Sequence, residues 1–206
     1  MYIDLSVTLS NQTVTYPTDP AVKIERTVTY EQCGFNVSKI EFGTHSGTHV
    51  DVPLHCTQNG LDTSIASIES FCGEAYTIEI PCKKGSPLNA DFDDALIKKS
   101  DILLIRTGWE EKAGTSEFFV NYPYISKYMA KKLVLLGIKA IGTDMPSVDK
   151  AGSKGEIHHI LLDNNIMIIE ALINLKQLVG KRCFFSAVPL KIKNGDGSPV
   201  RAYAYI

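Results

Sequence analysis

Three of the five histidines in this chain fall within one run of eleven residues, His45-Ser46-Gly47-Thr48-His49-Val50-Asp51-Val52-Pro53-Leu54-His55. That run restricts local structure more than any other stretch. Neutral imidazole is the commonest metal ligand near pH 7, and a carboxylate set among imidazoles adds the negative charge a divalent cation favours. His45 and His49 have the i, i+4 spacing of a helix, but Gly47 is a poor helix interior residue, Thr48, Val50 and Val52 are β-branched, and Pro53 would interrupt a hydrogen-bond ladder. The metalloprotease helix H-E-x-x-H is therefore excluded. In an extended chain successive side chains alternate faces, so His45, His49, Asp51 and His55 share one face while Val50, Val52 and Leu54 take the other. Gly47 on the polar face then leaves room for an ion or a substrate. The spacing predicts a metal or catalytic site carried on a strand.

The run resembles the H-x-G-T-H-x-D-x-P-x-H signature of the cyclase family of metal-dependent hydrolases, which includes bacterial kynurenine formamidase and isatin hydrolase, and every fixed position is present. The resemblance implies that His45, His49 and Asp51 are metal ligands and that His55 is the catalytic acid/base. A second segment, His158-His159-Ile160-Leu161-Leu162, is similar to the family's H-x-x-L-L, with Glu170 twelve residues after His158. By resemblance these complete a two-metal centre: Asp51 bridges the ions, His158 holds the second, Glu170 is shared, and His159 is the out-of-register neighbour. The residues themselves add a physical reason. Glu170 ends the apolar run Ile166-Met167-Ile168-Ile169, where an unpaired buried charge costs several kcal/mol unless a cation or hydrogen bonds meet it. The other reading of Glu170 is a cap for a following helix over residues 171–179.

Two loops extend the resemblance. Thr15-Tyr16-Pro17-Thr18-Asp19-Pro20 is similar to a family loop of the form x-P-G-D-x-P that lies over the site, with Thr18 in place of glycine and Tyr16 in place of the tryptophan of kynurenine formamidases. The resemblance gives Tyr16 a substrate contact; as an isolated residue it reads equally as an exposed loop aromatic. The segment Thr143-Asp144-Met145-Pro146-Ser147-Val148-Asp149 resembles the family's G-x-D-x-x-S-x-D, in which Asp144 either orients a ligand histidine or closes a turn. The aromatic stretch from Phe118 through Phe119 and Tyr122 to Tyr124 either lines an apolar pocket, with Phe119 and Tyr122 against substrate, or caps a core.

At 206 residues the chain fits one domain spanning 1–206, and 44% hydrophobic with 21% charged residues is a soluble globular profile. A formal net charge of -2 gives no basic footprint, which argues against nucleic acid and anionic membrane as partners. No apolar run approaches membrane-spanning length, and the first residues lack a signal-peptide pattern, so a cytoplasmic location is expected. Cys33, Cys56, Cys72, Cys82 and Cys183 are an odd set without a C-x-x-C pair, so no disulfide framework is expected. Alternation sends Cys56 to the face opposite His55.

Strands are expected at residues 2–9, 22–30, 35–42, 75–80 and 200–206, with buried strands at 102–105, 138–142 and 166–170. Helices are expected from 90 to 99, from Ser126 as cap to Leu136 with Gly137 beyond, from 156 to 162, and as a short turn of helix within 60–68. Residues 191–199 read as a hairpin-like turn. Strands fill the first half and alternate with helices in the second, an α/β pattern, and the family resemblance implies a swivelling β/β/α-type single domain with a mixed central sheet.

The activity implied is hydrolysis of a C–N amide bond, an aryl formamide or a cyclic amide, by a metal-activated water with His55 moving the proton. Rivals are a metal-dependent cyclase or dehydratase and a metal-binding protein without turnover. The cofactor expected is a divalent metal, two ions, with all-N/O donors suiting zinc, manganese or iron. A small-molecule substrate and a homodimer or homotetramer complete the expectation.

Overall fold

The computed structural model describes residues 1–89 and 92–206. In chain order its strands are β1 (Tyr2–Asp4), β2 (Lys23–Val28), β3 (Val37–Glu41), β4 (His49–Asp51), β5 (Cys72–Glu79), β6 (Pro87–Leu88), β7 (Ile102–Arg106), β8 (Tyr124–Ile125), β9 (Ala140–Thr143), β10 (Met167–Glu170), β11 (Arg182–Ser186), β12 (Gly197–Pro199) and β13 (Tyr203–Tyr205). Its α-helices are α1 (Tyr30–Cys33), α2 (Lys127–Leu136) and α3 (Glu156–Leu162). Nine strands form one mixed sheet in the order β1-β13-β11-β5-β7-β9-β10-β4-β12. Strands β5, β7, β9 and β10 run parallel, and the strands outside them pair antiparallel. This is a mixed α/β fold around a central sheet.

The sheet's centre follows from composition. Ile102, Leu103, Leu104 and Ile105 of β7 are all fully buried, as a strand covered on both faces requires. Alternation divides them: Leu103 and Ile105 pack with Met129 and Leu133 of α2 and with Leu161 of α3. Ile102 and Leu104 pack on the other side with Phe71, Leu175, Leu178 and Phe185. Helix α2 starts where Ser126 Oγ accepts from Met129 N and stops at Gly137, which takes the left-handed conformation with φ of 67°.

Several local expectations are corrected. The histidine run is not one strand: residues 45–48 turn, only His49–Asp51 is β, and Pro53–His55 is a 3-10 turn with proline at its start. No helix lies within 60–68; a 3-10 turn follows at Ile68–Ser70. For 90–99, Ala90 and Asp91 lie outside the described residues, and the remainder holds only the 3-10 turn Asp94–Leu96 capped by Asp93. The first strand ends at Asp4. The stretch after Glu170 is irregular, with a 3-10 turn at Leu175–Leu178 in place of a helix over 171–179. Strands β2 and β3 pair only with each other and stand apart from the main sheet. Residues 191–199 do not close a local hairpin, because β12 pairs with β4. Among the described residues no helix is long and apolar enough to cross a membrane.

Candidate metal centre

Register builds the site. Strand β4 lies between β10 and β12, with His49 opposite Glu170 and Asp51 opposite Gly197. Val50 and Val52 point into the apolar core, so His49 and Asp51 project from the other face, the one α3 covers. Helix α3 brings His158 to that face from its buried side, while His159 is exposed.

The six side chains singled out from the sequence converge. His45 Nδ1 lies 2.7 Å from Asp51 Oδ1 and His49 Nε2 lies 3.4 Å from the same oxygen. His158 Nε2 lies 3.5 Å from Asp51 Oδ2 and 3.4 Å from Glu170 Oε1, and His49 Nε2 lies 3.5 Å from Glu170 Oε2. Each carboxylate therefore turns one oxygen to each side of the centre. His55 stands beside this group, its ring centroid 4.2 Å from that of His45 and 5.4 Å from that of His158.

Two donor sets have ligand atoms close enough to share an ion: His45, His49 and Asp51, and Asp51, His158 and Glu170. Asp51 is 1% exposed and its Oδ2 has no hydrogen-bond partner, an orphan that a buried carboxylate does not normally tolerate. A divalent cation fits that oxygen. His45, His55 and Asp196 form a third set of the same compactness, but there the carboxylate is more exposed and already accepts from both rings.

The field at the centre is strongly negative. Burial alone would lower the His45 imidazole, but the charge of Asp51 and hydrogen bonds to Asp196 and Asp51 carry it up to about 10. His158 is likewise raised, burial being outweighed by its bond to Asp149 and by the nearby carboxylates of Asp51 and Glu170. Asp51 is held below the usual carboxylate range: burial opposes this, and the charges of His49 and His45 prevail. A site that pulls protons onto its imidazoles this way is one a divalent cation neutralises in their place.

The candidate ligand imidazoles meet an oxygen on the nitrogen turned away from the centre. His49 Nδ1 is 2.9 Å from Gly47 O, and His158 Nδ1 is 2.6 Å from Asp149 Oδ2. Gly47 thus has a different role from the one its spacing suggested. Its φ is +64°, and a Cβ there would meet Leu9 Cδ2 at 2.7 Å, so glycine is needed for the turn and for the close approach of Leu9. Asp144, fully buried, does not reach a histidine; its oxygens accept from Thr107 N, Thr107 Oγ1 and Gly108 N, closing the turn after β7. Asp149, five residues on, is the carboxylate on His158.

A cleft of about 280 Å³ opens over the centre, and Tyr16 and Tyr122 line it. A neighbouring chamber of about 240 Å³ shares His45 and His49 and is lined by Phe118 and Phe119. The rings of Tyr16 and Phe119 meet edge to face at 5.8 Å, joining the two spaces. Cys56 also lines the cleft, contrary to the alternation argument, because the 3-10 turn at Pro53 rotates it to the side of His55.

Sequence reasoning missed Asp196. Its Oδ2 lies 2.9 Å from His45 Nε2 and 3.5 Å from His55 Nδ1, and its Oδ1 accepts from Thr44 Oγ1 at 2.9 Å. The available signal was the pair of flanking glycines. A Cβ on Gly197 would sit 2.7 Å from Val50 O and 2.8 Å from His45 Cε1, so the chain there must press against the site.

Fold and site together define a mixed α/β protein whose sheet carries a histidine–carboxylate centre suited to divalent cations. The Cyclase family model, described as "Putative cyclase", matches residues 3–150. The chain is 36% identical over 206 residues to uncharacterized protein MJ0783 of Methanocaldococcus jannaschii, covering 99% of this chain and 98% of that one. It is 32% identical over 203 residues to the kynurenine formamidase of Bacillus mycoides, covering 98% and 95%. Isatin hydrolase A from Ralstonia solanacearum superimposes with a TM-score of 0.88 at 26% identity, covering 99% of this chain and 91% of that one. The chain belongs to the cyclase family.

Proposed function

We propose that this chain is a metal-dependent amidohydrolase that cleaves the C–N bond of an aryl formamide or a cyclic amide. The observation that carries the reading is the double-sided arrangement of Asp51 and Glu170, each turning its two oxygens to different imidazoles. Such an arrangement suits two ions, one held by His45, His49 and Asp51 and the other by Asp51, His158 and Glu170, with zinc or manganese matching the donors. Bound there, a divalent ion supplies Lewis-acid polarisation of a carbonyl oxygen and acidifies water.

The chain's own groups do the rest. His55, beside the donor sets, takes a proton from the attacking water and returns it to the departing nitrogen, so that water and amide become carboxylic acid and amine. Tyr16, Phe119 and Tyr122 hold the aryl portion; the contact between Tyr16 and Phe119 across the two spaces supports that placement. The kynurenine formamidase and isatin hydrolase relatives favour a small aromatic amide over other carbonyl substrates.

Residues 1–206 act as one domain in this reading, with both core clusters on the two faces of a single sheet. A homodimer or homotetramer in the cytoplasm completes it. The β2–β3 ribbon, an isolated pair that exposes Val37 and Ile40, supports self-association, since a two-stranded ribbon alone is marginally stable in water.

The test is a panel of N-formylkynurenine, isatin and simple lactams offered to metal-loaded protein, with products followed by mass. Isatin or a lactam should gain one water on ring opening, or N-formylkynurenine should give the free amine and formate, and His55→Ala should keep its metal and lose turnover. Loss of water would point to a cyclase. A panel with no product, or a His55→Ala variant at the parent rate, overturns the assignment.

A further inference from the structure

Asp196 lies on the loop entering β12, 151 positions from His45 in sequence, yet it is in contact with two rings of the histidine run. We propose that Asp196 is a positioning residue that sets the proton positions of His45 and His55 at once, accepting from Nε2–H of the first and Nδ1–H of the second. The proposal rests on the metal-dependent reading above and extends it to a residue with no role in that mechanism.

The geometry gives three supports. First, the carboxylate is itself fixed: Thr44 Oγ1 donates to Oδ1 at 2.9 Å, which leaves Oδ2 for the two rings at 2.9 and 3.5 Å. Second, the backbone is fixed. Val52 N donates to Asp196 O at 3.2 Å, and Gly197 can bring the loop against the His45 ring only because it lacks a Cβ. Third, Asp196 completes a pattern. His49 has Gly47 O and His158 has Asp149 Oδ2 on the nitrogen turned away from the centre, and Asp196 does the same for His45, whose Nδ1 faces Asp51.

A neutral imidazole carries one proton, and the acceptor it meets decides which nitrogen keeps it. With Asp196 on Nε2, His45 presents an unprotonated Nδ1 to the donor set it shares with His49 and Asp51. With the same oxygen on Nδ1, His55 keeps Nε2 unprotonated, which is the state a base needs before it takes a proton from water. The 3.5 Å contact is long, as such contacts are before a substrate is bound. One carboxylate thus couples a ligand ring to the proton-transfer ring, and the approach of those rings to 4.2 Å keeps them in step.

The experiment uses zinc-loaded protein with ¹⁵N-labelled histidine, read by long-range ¹H–¹⁵N correlation. The parent should show His45 protonated at Nε2 and His55 at Nδ1. Asp196→Ala should lose the Nδ1–H signature of His55, bind zinc roughly 10- to 100-fold more weakly, and lose kcat with KM little changed. Asp196→Glu, which restores the carboxylate, should recover part of all three. If Asp196→Ala fails to fold by circular dichroism, Asp196→Asn carries the test, because it keeps the shape but meets the two rings with a neutral amide in place of the charged oxygen, and it should weaken the same readouts. A parent with His55 protonated at Nε2, or an alanine variant with parental nitrogen signals and zinc affinity, overturns the proposal. The nitrogen spectra and zinc titrations need no substrate. Protein that shows these tautomers and cleaves nothing on the panel therefore refutes the amidohydrolase reading and upholds this one.

Discussion

Removing the Asp149 side chain separates two things that this residue does. Its oxygens accept from Ile157 N at 3.1 Å, from His158 N at 3.0 Å, from Ser153 Oγ at 3.0 Å and from His158 Nδ1 at 2.6 Å. Gly155 opens α3 without a side chain to offer, so Asp149 caps the helix from outside it. Losing that cap in Asp149→Ala costs about 0.5–2 kcal/mol of stability. Freeing the His158 ring costs roughly 10- to 100-fold in zinc affinity, equivalent to about 1.4–2.7 kcal/mol. Urea unfolding of metal-free protein reads the first quantity, and competition for zinc against a chromophoric chelator reads the second. Both should fall. A variant that loses stability but binds zinc like the parent would show that Asp149 serves the helix alone, and the assignment of His158 as a held ligand would fail.

Other consequences follow from particular contacts. Gly197→Ala places a methyl 2.7 Å from Val50 O and 2.8 Å from His45 Cε1, so stability should drop by about 1–3 kcal/mol and zinc affinity should drop with it, read by the same two titrations. Asp62 is held below its ordinary value of 3.8 by bonds from Ser64 and Asn194 that outweigh burial. Its contribution is therefore present above that value and lost as pH falls through the lower folded one. Denaturation midpoints across acid pH should show Asp62→Asn weaker than the parent at neutral pH, with the gap closing in acid; a gap that is constant with pH would refute the assignment. Burial, with some help from the charge of Glu74, pushes the Cys183 thiol up to about 11, whereas Cys33 is exposed. A thiol-specific chromogenic reagent at mildly alkaline pH should label Cys33 at once and Cys183 only on unfolding, and early labelling of Cys183 would contradict the packing described.

Much of this was legible in the chain because its signals are local. The buried run of β7, the Ser126 and Gly137 caps of α2, and α3 from Glu156 to Leu162 are each written in a few adjacent residues. The even spacing of His45, His49, Asp51 and His55 pointed to one centre, and the structure gathers them, although by a turn, a short strand and a 3-10 turn rather than along one strand. What was hidden depends on distant partners. Asp196 reaches His45 only because β12, near the end of the chain, pairs with β4 and sets Gly197 opposite Asp51. Asp149 took the role weighed for Asp144 because the turn after β9 presents the later carboxylate to α3. The helix expected within 60–68 gave way to short turns, as did the described part, 92–99, of the one expected over 90–99. There Asp62 and Asp93 hold backbone donors of their own loops, in competition with helix formation.

Crystals grown with zinc or manganese, measured at the metal's absorption edge, test the central claim most directly. Two anomalous peaks are expected, one against His45, His49 and Asp51 and one against Asp51, His158 and Glu170. No peak beside Asp51, or a peak only between His45, His55 and Asp196, would contradict it.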